Sequence, residues 1–89
     1  MKAERLVQDL GERLELPGEA LGASRVTVTA GQRILVENHR GIQEYGEELI
    51  TVGTERGKLR FFGTQLRLEA MNGRELLIVG KLRQVEWDA

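Results

Sequence analysis

Two periods of apolar residues divide the chain. Over residues 3–14, Ala3, Leu6, Val7, Leu10 and Leu14 recur at the spacing of one helix face, with Glu4, Arg5, Asp9, Glu12 and Arg13 filling the other. This predicts a short amphipathic helix within an N-terminal segment, residues 1–16, packed on an open side of whatever follows. Gly11 weakens it by about 1 kcal/mol against alanine. Pro17-Gly18 ends it, because proline biases Leu16 away from the helical region. The run P-G-E-A-L-G-A-S over residues 17–24 reads as a linker. From residue 25 to residue 89 the period changes to two, and the chain reads as a β domain.

In that domain Val26 and Val28 alternate with Thr27 and Thr29, and Ala30-Gly31 supplies a tight turn into Arg33 to Glu37. The pattern breaks at His39, Arg40 and Gly41, resumes from Ile42 to Tyr45, turns at Gly46 and continues from Leu49 to Val52. Lys58 to Met71 and Arg74 to Trp87 form the last two strands, joined by Asn72-Gly73, whose residues tolerate positive φ. With Asn72-Gly73 in the two central turn positions, Leu68 lies opposite Leu77 and Leu66 opposite Val79. Leu59 and Phe61 have the other parity, so a bulge or bend is expected at Gly63 between them. Gly80 holds the matching place in the last strand: K-L-R-F-F-G at 58–63 and E-L-L-I-V-G at 75–80 are alike at an offset of 17. The expected fold is mainly β, an antiparallel meander of about six strands curled into a roll or small sandwich, with the helix on an open side. A short β-solenoid is the alternative that a 17-residue pseudo-repeat leaves open.

Composition narrows the function. The 89 residues suffice for a single domain, and a chain this short buries only roughly 60% of its unfolded surface. The 13 basic and 14 acidic residues leave a formal charge of -1, so the broad positive field that nucleic acid requires is absent. Arg56, Lys58, Arg60, Arg67, Lys81 and Arg83 could line up as a basic stripe, but Glu55, Glu69, Glu75 and Glu86 dilute it. The chain has no cysteine, which removes disulfides, thiolate nucleophiles and thiolate metal sites together. No stretch reaches the roughly 18 apolar residues of a membrane span, and the N-terminus lacks a signal-like apolar run. The expected location is cytoplasmic, with no membrane span of its own.

No reactive constellation can be assembled, so no enzyme, metal or cofactor is expected. His39 is the sole histidine, without two acids at a converging spacing, and reads as structural. Ser24 is the sole serine and lies in the linker without a base. Glu47 and Glu48 adjoin a turn and point apart in extended chain, so they read as solvated charges. The glycines fit no phosphate-binding pattern. Phe61 and Phe62, adjacent in a strand, must face opposite sides, so one enters the core and the other is exposed or covered by something else. Phe62, Tyr45 and Trp87 are therefore the candidate exposed aromatics. Asn38, His39, Arg40 and Gly41 read as a turn shaped by asparagine side-chain bonding and glycine's free φ.

E-N-H-R-G at 37–41, set between Ile34-Leu35-Val36 and Ile42, resembles the YabP/YqfC family of endospore-formation proteins, and YqfC more closely. The similarity extends over L-E-L-P at 14–17, V-T-V-T-A-G-Q at 26–32, L-R-F-F-G-T-Q-L-R-L at 59–68 and L-I-V-G-K-L-R-Q-V-E-W at 77–87. It implies a sporulation protein acting in the mother cell, at the forespore surface, in envelope, coat or cortex formation, with no enzymatic activity. It also implies sporulation proteins as partners: a YqfD-like membrane protein or coat proteins. Asn38, His39 and Gly41 carry over from the motif without a known role. The leading expectation is an assembly or interaction module that docks through sheet edges or an exposed apolar face, oligomerisation included. The alternative is a cell-wall glycan-binding module using Tyr45, Trp87 and the 38–41 turn.

Overall fold

The computed structural model describes residues 14–16 and 23–89, which form seven strands: β1 (Leu14–Leu16), β2 (Arg25–Thr29), β3 (Arg33–Glu37), β4 (Ile42–Tyr45), β5 (Leu49–Thr54), β6 (Gly57–Met71) and β7 (Glu75–Asp88). All neighbours are antiparallel, in the order β1-β2-β3-β7-β6-β5-β4. The fold is therefore mainly β, as the alternation predicts, and antiparallel pairing throughout excludes the solenoid among the described residues. It is not one continuous meander. β1-β2-β3 and β4-β5-β6-β7 are two meanders, and the second returns its last strand to β3. Asn38 and Gly41, at φ 60 and 99, carry the chain from one to the other.

Residues 14–16, expected at the end of the helical segment, are extended and pair with β2, Leu14 opposite Val28 and Leu16 opposite Val26. L-E-L is itself a fragment of period two, and a sheet edge stands beside it to satisfy its backbone. The rest of the expected helix, residues 1–13, lies outside the described residues, as do residues 17–22 of the linker.

The long strands β6 and β7 form the spine. Their register shifts between Phe62 and Gly63, between Thr64 and Arg67, and between Leu68 and Ala70. The expected break at Gly63 is thus present, and its cause is close backbone approach. A Cβ on Gly63 would lie 2.1 Å from the Lys81 carbonyl oxygen, and one on Gly80 would lie 2.6 Å from that of Gln65. Both strands bend there, so the sheet coils around one core. That core takes Val26, Val28, Ile34 and Val36 from β2 and β3, and Ile50, Val52, Leu59 and Phe61 from β5 and β6. Leu66, Leu76, Ile78 and Leu82 close it from the spine.

The pseudo-repeat has a structural counterpart. Val26 pairs with Val36 as Ile42 does with Val52, Ile34 with Ile78 as Ile50 does with Phe61, and Val36 with Leu76 as Val52 does with Leu59. The hydrogen bonds at the bends match too. Gly80 donates to Gln32 O at 3.2 Å as Gly63 does to Glu48 O at 3.1 Å, and Leu82 donates to Gly31 O at 2.9 Å as Leu66 does to Glu47 O at 2.8 Å. One half of the molecule is β2-β3 against the first half of β7; the other is β4-β5 against the first half of β6.

The β6–β7 turn differs from expectation. Met71 lies opposite Leu76 and Leu68 opposite Ile78, so the ends pair with Gly73 and Arg74 in the central turn positions rather than Asn72 and Gly73. Neither Asn72 nor Gly73 has positive φ. Leu66 consequently has no direct partner and fills the core from within a bulge, while Leu77 turns to the outer side. The pair of positive φ values sought there occurs instead at Ala30 and Gly31, at 54° and 64°, in the β2–β3 turn.

Candidate functional site

The E-N-H-R-G segment emerges from β3 onto a junction of four parts of the chain. Asn38 and His39 both donate their backbone N–H to Arg74 O, at 2.7 and 3.3 Å. The Asn38 side-chain amide donates to Ala23 O at 2.9 Å, and the Ser24 hydroxyl donates to Asn38 O at 2.8 Å. Arg40 N donates to Gly53 O, and Gly53 N to Gly41 O, both at 2.8 Å. The entry to β2, the β6–β7 turn and β5 are thereby tied to one short corner.

His39 is 6% exposed and lies at the centre. Gly41 N–H donates to Nδ1 at 2.9 Å, so Nδ1 carries the lone pair. Nε2, 2.8 Å from Asn72 O, must then hold the proton and donate it. With its own carbonyl engaged by His39, Asn72 closes its turn through its side chain, whose Oδ1 accepts from the N–H of Arg74 and of Glu75, both at 2.8 Å. These bonds accompany the displaced turn register. They also leave the imidazole without a free nitrogen for proton transfer or a ligand.

Asn38, His39 and Gly41 are thus placed together, and their geometry holds the fold. Arg40 points away, exposed, and pairs with Glu55 at 3.3 Å. Sequence reasoning missed Asn72 as the partner of His39, and no local pattern signals a contact between residues so far apart in the chain. Among the described residues, no group of three or more histidines or acids could hold a metal ion, and no helix is long and apolar enough to cross a membrane.

Of the remaining candidates, Tyr45 and Trp87 lie on the sheet's edges, and Phe62 lies within it, between Leu49 and Gln84. Phe61 is fully buried and Phe62 takes the outer side, half-buried, so the expected split of that pair is present. Tyr45 is 59% exposed on β4 and Trp87 50% exposed on β7. Trp87 is opposite Leu59 and Tyr45 opposite Ile50, which sets the two aromatics at opposite edges of the β4-β5-β6-β7 half. The Tyr45 hydroxyl accepts from Leu68 N at 2.9 Å, capping a spine bulge. Met71, 49% exposed, stands at the far edge of the other half.

The basic stripe does not form a continuous field. Arg60 pairs with Glu86 at 3.3 Å and Asp88 at 2.9 Å, and Arg33 and Arg67 share Glu69. Acidic charge is less balanced. Glu47 and Glu48 are exposed beside Tyr45 and have no cation within ion-pair distance among the described residues, and Glu44 accepts only from the Thr51 hydroxyl, at 3.0 Å. With Gly46 and Leu49 these residues line a shallow open recess at the end of β4.

No curated protein matches the chain, and no solved structure does. A family model described as the YabP family matches residues 20–89, which takes in β2 to β7, the junction around His39 and the recess beside β4. The chain belongs to the YabP family.

Proposed function

We propose that this chain is a non-enzymatic assembly module of endospore formation, acting in the mother cell at the forespore surface in envelope, coat or cortex formation. Within the family we read it as the YqfC kind, with a YqfD-like membrane protein or coat proteins as partners. The supporting observation is a small sheet whose open edges carry exposed Tyr45, Met71 and Trp87, while the one histidine is wholly engaged with backbone. Open edges present unpaired backbone groups that another chain can complete. Membership of the YabP family supports the sporulation setting.

Size-exclusion chromatography with light scattering, on the chain alone and mixed with the soluble part of a candidate membrane partner, tests this reading. Co-elution is expected. A strict monomer that ignores every envelope and coat protein offered, together with unaltered spores after deletion of the gene, would overturn it.

A further inference from the structure

The two matching halves differ at their outer strands. In one, β2 is covered by β1; in the other, the equivalent strand β4 is the last of the sheet among the described residues. Ile42 corresponds to Val26 and Tyr45 to Val28, the two residues that pair with Leu16 and Leu14. A strand added to β4 as β1 is added to β2 would set alternate side chains beside Ile42 and Tyr45. Ile42 already packs on the core, and Tyr45 is largely uncovered.

β4 has only partial protection against such an addition. Edge strands are commonly guarded by lysine, proline or bulges; β4, I-Q-E-Y, has neither lysine nor proline, and its one such guard is the register shift between Ile42 and Glu44. The side chain of Gln43 does not shield the edge, because its Nε2 lies where it would be 2.8 Å from a Cβ on Gly53, over β5. The surroundings select the sign of the occupant: Glu44, Glu47 and Glu48 offer three carboxylates with no cation within ion-pair distance among the described residues.

We propose that the β4 edge takes an extended segment of a partner protein, with apolar side chains at alternate positions and arginine or lysine at its flanks. This deepens, and rests on, the docking function proposed above. Backbone pairing supplies the attachment, Ile42 and Tyr45 supply contact for the apolar side chains, and the three carboxylates set direction and charge.

The test uses the full chain labelled with 15N and a decapeptide probe of alternating leucine and threonine with two arginines at each end. Amide shifts are expected at Ile42–Tyr45. A probe N-methylated at alternate residues keeps its charge and side chains but lacks the edge donors, and should bind at least about tenfold more weakly. The E47K/E48K variant should lose affinity by about tenfold as well, since screened surface charges act mainly on encounter and register. Both side chains are exposed and only their backbone carbonyls serve the fold, so this variant should stay folded. Absence of shifts at about 1 mM probe, or equal binding of the N-methylated peptide, overturns the proposal. So do shifts centred on Arg83–Asp88 or Arg67–Met71, which would move docking to another edge and leave the general reading intact. Self-association that buries β4 without any probe overturns the foreign occupant and assigns the edge to a second copy.

Discussion

His39 stands where the β3–β4 corner meets the β6–β7 turn, and both ring nitrogens bond to backbone groups. Replacing it with alanine leaves Gly41 N–H and Asn72 O without those partners and opens space inside, so His39→Ala should cost about 2–4 kcal/mol in urea denaturation. Nitrogen chemical shifts of the ring should show the Nε2–H tautomer; the Nδ1–H form would contradict the geometry. Ala30 offers an opposite case. It holds φ 54 in the β2–β3 turn, a conformation that costs an L-residue with a Cβ roughly 1–2 kcal/mol, so Ala30→Gly should raise stability by about 0.5–1 kcal/mol in the same measurement.

The spine strands depend on glycine at two bends and not at their turn. Gly63→Ala would drive a methyl group into the Lys81 carbonyl, and neither backbone can yield without breaking the bulge. A loss of about 3 kcal/mol or more is expected, or failure to fold. Gly73→Ala meets nothing within 4 Å and needs no positive φ, so it should change stability by less than about 0.5 kcal/mol. This contrast reverses the expectation drawn from Asn72-Gly73, since Gly73 holds no positive φ. The ion pairs along the spine are minor by comparison. Arg60 and its acids are solvent-exposed to a quarter or more, and Arg60→Ala should cost under about 1 kcal/mol, with the cost shrinking further in high salt.

Because both halves close on one core, the molecule should unfold as a unit. Ile34 in one half and Ile50 and Phe61 in the other are all fully buried in the same cluster. Phe61→Ala should therefore cost about 3–5 kcal/mol and lower amide protection in β2 and β3 as much as in β5, read by native-state hydrogen exchange. Independent melting of the two halves would contradict a shared core. The matching halves differ in one respect: β1 covers the outer strand of one, and among the described residues no strand covers β4 in the other.

Alternating valines, leucines and isoleucines after residue 25 were enough to read the class of fold and nearly every strand, because burial on one face of a pleated sheet imposes period two locally. Gly63 was legible for the same reason, since a change of parity within one strand requires an extra residue. Strand order was not. Whether β3 pairs with β4 or with β7 depends on contacts between distant residues, and alternation is indifferent to the choice. The register of the last hairpin was decided likewise: in the folded chain His39 bonds the Asn72 carbonyl, and the Asn72 side chain closes the turn one pair further on. The E-N-H-R-G segment was visible as a turn, but its role as the tie between four parts of the chain exists only once those parts have met. The same holds for β4, where I-Q-E-Y is an ordinary strand in sequence and comes to the margin of the sheet only through the pairing of distant strands.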